Sequence, residues 1–224
     1  MNLIIEEARR NVKLLLNDQL RQKLSECSRY MTIGVDTSKS KISTTGNYIS
    51  EPHVELVFLI DLENDNYYWT GKSYPTTSQE KGLVRINDLH THFFDCDLGK
   101  IMTLGCHDLT VFNPRSDATA RGWRKKVKDE FKRLSRKEKP LIVLQHPHTT
   151  DSARIWTAAW NRLKNWIPTV EQYASAGRYF NEDRPCRSEL TDVLAKTKFG
   201  KTIDFVIWID MLNARAETTI MPYR

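Results

Sequence analysis

The chain opens with apolar positions at Ile5, Ala8, Val12, Leu16, Leu20 and Leu24, each three or four residues from the last. That period lays all six along one side of a helix over residues 5–27, with polar residues on the other side. Residues 31–35 read as a short strand and 36–50 as a polar loop. Residues 54–60 are a near-continuous apolar run, the pattern of a strand covered on both faces. Turn chemistry at Asn64-Asp65-Asn66 precedes the aromatic run Tyr67-Tyr68-Trp69, which predicts a hairpin. A second hairpin is predicted from residues 92–96 and 100–104, joined through Asp97-Leu98-Gly99.

Further on, Trp123, Val127, Phe131 and Leu134 recur at helical spacing within residues 121–139, predicting a helix with one inward stripe and basic residues facing water. Residues 141–144, directly after Pro140, have the apolar continuity of a buried parallel strand. Ile155, Trp156, Ala159, Trp160, Leu163 and Trp166 share a broad face of a helix over 155–166 that stops near Pro168. Residues 204–209 predict a last strand. Hairpins interspersed with strand–helix–strand units imply an α/β fold, a mixed sheet with helical cover. No repeat, low-complexity tract or linker interrupts the 224 residues, so a single domain over 1–224 is expected.

Composition adds exclusions. The chain is 40% hydrophobic, enough for a sizeable core. It has no apolar run approaching the roughly 20 residues that span a bilayer. Its first ten residues carry Glu6 and Glu7 and lack the basic, apolar, small-residue order of a signal peptide. A soluble cytoplasmic protein with no membrane partner is the expectation. Cys27, Cys96, Cys106 and Cys186 show no CxxC pairing and no framework spacing, so they read as reduced thiols. The net charge of +6 draws heavily on residues 121–139. Such a face can bind nucleic acid, but a solvated helix face is the commoner meaning and is favoured.

One turn stands out chemically. The second hairpin delivers a strand ending in Leu104-Gly105-Cys106-His107-Asp108, which presents a thiol where the chain turns towards a helix. Backbone N–H groups at such a turn stabilise a thiolate and can hold an oxyanion. That suits attack on a carbonyl or nitrile carbon through a thioester.

These residues resemble the nitrilase (carbon–nitrogen hydrolase) superfamily, whose members carry a stretch like Phe-Asp-Thr-x-x-Gly-Lys-Ile-Gly-x-x-Ile-Cys-Tyr-Asp around the nucleophile. Phe94, Asp95, Gly99, Lys100, Ile101, Cys106 and Asp108 fall into that pattern without gaps. Trp69-Thr70-Gly71-Lys72-Ser73-Tyr74-Pro75 looks like the family's segment with the catalytic lysine, and Lys72 stands 34 positions before Cys106 (72 to 106). Glu80, 8 positions after Lys72 (72 to 80), lies where a second glutamate of the family is expected. The resemblance covers roughly residues 20–165. It implies a nitrilase-like four-layer αββα sandwich with mixed sheets, shortened at its N-terminus, that hydrolyses a carbon–nitrogen bond of an amide or nitrile. By the same resemblance Cys106 is the nucleophile and Lys72 stabilises the tetrahedral intermediate beside the N–H of His107. Glu80 orients Lys72 or the substrate, while His107, His146 and His148 contact a small-molecule substrate. No cofactor or metal is implied. Family members commonly associate through helices, so a homo-oligomer is expected, with the Trp156/Trp160 helix serving as core or as subunit interface.

The family's general-base glutamate is the missing part. It belongs in a Phe-Pro-Glu-like segment more than 70 residues before the lysine, and counting back from Lys72 runs off the start of the chain. Glu6 or Glu7 could substitute, although the solvent face of the first helix explains both. The base is then absent from this chain or supplied by another, or it is rearranged, or catalysis is lost. The last case leaves a ligand- or nucleic-acid-binding module. A different rival takes Gly105-Cys106-His107-Asp108 and His146-Pro147-His148 as similar to segments of calcineurin-like metallophosphoesterases. There His107, His146, His148 and Asp151 would gather a divalent metal for phosphoester cleavage.

Overall fold

The computed structural model describes residues 1–37, 40–42, 48–50, 52–77, 80, 82–147 and 153–175. In chain order it runs α1 (Asn2–Leu15), α2 (Asp18–Ser25), β1 (Tyr30–Asp36), β2 (Ser40–Ile42), β3 (Tyr48–Ser50), β4 (Glu55–Asp61) and β5 (Asn66–Gly71). There follow a 3₁₀ turn at Leu89–His92, β6 (Phe93–Cys96), β7 (Gly99–Gly105) and a second 3₁₀ turn at Asp108–Phe112. The rest is α3 (Pro114–Thr119), α4 (Gly122–Glu138), β8 (Ile142–His146), α5 (Ala153–Trp166) and β9 (Gln172–Ser175). The strand expected at 204–209 lies outside the described residues.

The main strands form two sheets. One is antiparallel in the order β1-β4-β5, and the other is mixed in the order β6-β7-β8-β9, with β7, β8 and β9 parallel. Both expected hairpins are present. Asp65 closes the first with φ 55°, and Gly99 closes the second with φ 99°, a conformation glycine adopts without steric cost.

Strand alternation sorts the side chains. On β4, Leu56, Phe58 and Ile60 pack with Ile5, Ala8, Val12 and Leu16 of the first helical segment. Leu59 points the other way, into a cluster with Phe94 and Ile101 that Tyr68, Ile142 and Leu144 extend. The two sheets therefore face each other, and α1 covers the outer side of the first. On the outer side of the second, Met102, Leu104 and Val143 pack against Phe131 and Leu134 of α4 and Trp156, Ala159, Trp160 and Leu163 of α5. Each large apolar side chain so buried contributes roughly 1.5–3 kcal/mol.

Three details depart from the sequence expectations, and a fourth decides between two of them. The first helix breaks at Leu16–Asn17, because the Asn17 side chain accepts from the Leu20 N–H and starts a new helix; Leu20 is consequently exposed. The stretch 36–50 includes the paired strands β2 and β3. Not every lysine of α4 faces water: Lys128 and Lys132 are buried and both donate to Asp117 at the start of the neighbouring helix. Trp156 and Trp160 fill the core, with Trp160 stacked on Tyr173 at 4.7 Å, so these rings are not a subunit surface. Among the described residues, no helix is long and apolar enough to cross a membrane.

Candidate active site

The inward faces of the two sheets change character at one end. On the first sheet, β1 and β4 pair so that Asp36 stands opposite Glu55, and Leu56 stands opposite Gly71, which puts Lys72 beside Glu55 just past β5. On the second, Gly105 ends β7 opposite His146 at the end of β8, and Cys106 follows. Gly34, Asp36, Glu55, Lys72, Gly105, Cys106 and His146 line one narrow pocket between the sheets, a cavity of only about 10 Å³, with Leu56 and Val57 completing the lining. Cys106 and Lys72, which the family resemblance pairs at a spacing of 34 positions, thus line the same pocket.

Glu55 is the residue the sequence reading passed over. Its carboxylate is ion-paired with the Lys72 ammonium, and the two side chains are only 5% and 1% exposed. Lys72 is further fixed by its backbone, since its N–H donates to the Glu55 carbonyl at 2.9 Å and its carbonyl accepts from Ile86 N–H at 3.1 Å. Burying two charges away from water is costly unless they neutralise one another at close range. A pair this deep in a strand-end pocket is therefore a functional candidate. The available signal was a single carboxylate inside the apolar run 54–60, where a charge has no business unless partnered.

The thiol turn is tied to the lysine segment by Asp108, which is fully buried. One carboxylate oxygen accepts from Ser73 N–H at 3.0 Å and from Tyr74 N–H at 2.7 Å, and the other accepts from Gly105 N–H at 3.0 Å. Three backbone N–H groups on one carboxylate lock the Cys106 turn against the segment just after Lys72. Gly105 is required for that closeness. A Cβ there would lie 2.9 Å from the Asp108 carboxylate and 3.6 Å from the Lys72 backbone. On the far side, the Gln145 amide donates to the Cys106 carbonyl at 3.1 Å, and Ser175 holds Gln145 in turn.

His146 reaches the pocket across β1. Its Nδ1 lies 3.3 Å from the Thr32 hydroxyl, and its ring rests on Gly34, where a Cβ would come within 2.5 Å of Nε2. The remaining expected residues are placed differently. His107 is buried, and its carbonyl caps the following 3₁₀ turn by accepting from Thr110; its side chain does not line the pocket. Glu80 is half-buried, lies outside the pocket lining, and its carbonyl accepts from Leu83 N–H. The carboxylate paired with Lys72 is that of Glu55. His148 and Asp151 lie outside the described residues. Glu6 and Glu7 are on the exposed face of α1, where Glu7 pairs with Arg10. Among the described residues, no three His, Cys, Asp or Glu side chains converge as a metal site. Cys27, Cys96 and Cys106 are free thiols, the first exposed and the last buried.

Compared with protein-family models and with curated proteins, the chain matches none of either.

Proposed function

We propose that this chain is a carbon–nitrogen hydrolase of nitrilase type, built as a helix–sheet–sheet–helix four-layer sandwich, with Cys106 as nucleophile, Lys72 as electrostatic stabiliser and Glu55 as general base. The observation that carries the reading is the buried Glu55–Lys72 ion pair facing Cys106 in one pocket.

The chemistry follows from the three roles. The Glu55 carboxylate takes the Cys106 thiol proton as sulfur attacks the carbonyl carbon of an amide. Negative charge develops on the carbonyl oxygen, and the Lys72 ammonium, held nearly dry, stabilises it more strongly than it could in water. Protonated Glu55 returns the proton to the nitrogen, the C–N bond breaks, and an amine or ammonia leaves a Cys106 thioester. Water, deprotonated by Glu55, then attacks the thioester carbon, releasing a carboxylic acid and restoring the thiol. His146 faces the same pocket and contacts the substrate.

The test is incubation with a panel of small amides and nitriles, reading ammonia or amine release and the mass of the Cys106 peptide. The reading expects turnover that survives a chelator and stops in Cys106→Ala, with acyl adducts confined to Cys106. Turnover that persists in Cys106→Ala, or that a chelator abolishes, contradicts it.

A further inference from the structure

Behind the Lys72–Cys106 pair lies a buried imidazole that the proposed chemistry does not use. His92, at the end of the first 3₁₀ turn, is fully buried. Its Nδ1 is 2.7 Å from the Thr103 carbonyl on β7, the strand that ends at Cys106. Its Nε2 is 2.9 Å from the hydroxyl of Ser73, the residue after Lys72. The Ser73 hydroxyl also lies 2.6 Å from the Ile86 carbonyl, and the Ile86 N–H donates to the Lys72 carbonyl. A continuous chain thus runs from the Cys106 strand through His92 and Ser73 to the peptide that fixes Lys72.

Counting protons along this chain shows that it is incomplete. Both ends are carbonyls, which only accept. Three links need three protons, whereas a neutral imidazole and one hydroxyl hold two between them. In the neutral state Nδ1–H donates to Thr103, and the Ser73 hydroxyl must choose between His92 Nε2 and Ile86. A second imidazole proton lets Nε2–H donate to Ser73, whose hydroxyl then turns to Ile86 and completes the chain.

We propose that His92 is a positioning residue for the Lys72–Cys106 pair, tying the segment after Lys72 to the strand of Cys106 through a hydrogen-bond chain that rearranges when the imidazole takes up a proton. The proposal rests on the reading of Lys72 and Cys106 given above. The charged groups acting on the ring are Asp108 from the Cys106 turn and Asp88 at the start of the 3₁₀ turn, while α4 presents the Phe131 ring, centred 4.7 Å away. Burial holds the imidazole below its ordinary pKa, against the opposing pull of Asp108, the Thr103 hydrogen bond and Asp88. The neutral form is therefore the resting one at neutral pH, with the rearrangement on the acid side.

The test uses the full chain labelled with ¹⁵N-histidine, in wild type and in Ser73→Ala, which removes one small group and leaves the ring in place. Imidazole nitrogen shifts report tautomer and titration, and the rate of Cys106 alkylation by iodoacetamide reports the pair. The expected result is an Nδ1–H tautomer at neutral pH, a titration moved to lower pH in Ser73→Ala, and alkylation slowed on the order of tenfold in that variant. An Nε2–H tautomer, or a Ser73→Ala protein whose His92 titration and Cys106 rate match wild type, overturns the proposal. If wild-type Cys106 instead reacts no faster than Cys27, the hydrolase reading fails, and the His92 shifts still decide whether the chain exists.

Discussion

Replacing Lys72 by methionine leaves the shape of the side chain nearly intact and removes its charge. Glu55 would then be a carboxylate 5% exposed on a strand whose neighbours Leu56, Val57 and Phe58 are buried, with its ammonium partner gone. Breaking a buried pair from one side costs about 3–5 kcal/mol, because the surviving charge stays desolvated. Glu55→Leu strands the lysine and should cost a similar amount, about 3–5 kcal/mol. The double variant Glu55→Leu/Lys72→Met removes both charges of the pair together. Exchange of a buried pair for apolar groups of similar volume is often neutral, so its stability should lie within about 2 kcal/mol of wild type. Urea unfolding followed by circular dichroism measures all four corners of the cycle. The double variant should be folded, more stable than either single variant, and without hydrolytic activity. Additive losses, with the double variant the least stable of the four, refute the claim that these two side chains form one desolvated ion pair.

Three further outcomes follow from the same geometry. Asp108→Asn removes the charge that three backbone N–H groups share, and should lower stability by about 2–4 kcal/mol in urea unfolding and slow Cys106 alkylation in parallel. His92 is held below its ordinary pKa, so the unfolded chain binds the extra proton first as pH falls. Its contribution to stability is then complete above about pH 6.5 and is lost as the pH drops from there towards the folded-state pKa; the slope of unfolding free energy against pH in that window should flatten in His92→Gln. Gly34→Ala would drive a methyl group into the His146 ring, within 2.5 Å of Nε2, while Nδ1 lies against the Thr32 hydroxyl. Stability should fall by about 1–3 kcal/mol while KM for the best amide rises and the His146 imidazole shifts move.

The sequence made the hairpins legible because alternation and turn residues are local signals. Asn64-Asp65-Asn66 and Asp97-Leu98-Gly99 both sit at observed turns, and the Gly105-Cys106-His107-Asp108 turn ends its strand as expected. What escaped is what depends on partners distant in sequence. Glu55 is a lone charge within an apolar run, and its meaning comes from Lys72, just past the end of the next strand. Asp108 was one letter of a motif until three N–H groups converged on it. Lys128 and Lys132 followed the rule that helix lysines face water, and Asp117 on another helix overrode it. The break after Leu16 is local, but the hydrophobic stripe continues through it in sequence, and only the Asn17 cap gives it away.

The most direct test of the central claim compares alkylation of Cys106 and Cys27 within the same native protein at neutral pH, mapped by peptide mass spectrometry, in wild type, Lys72→Ala and Glu55→Gln. Cys27 is exposed and Cys106 is 4% exposed, so access alone favours Cys27. An ordinary thiol, with a pKa of about 8.5, is only a few per cent thiolate at neutral pH. The account predicts that Cys106 is nevertheless modified faster than Cys27 in wild type, and that either substitution removes the advantage while Cys27 labels as before. A Cys106 that reacts more slowly than Cys27 in wild type, or equally fast in all three proteins, contradicts it.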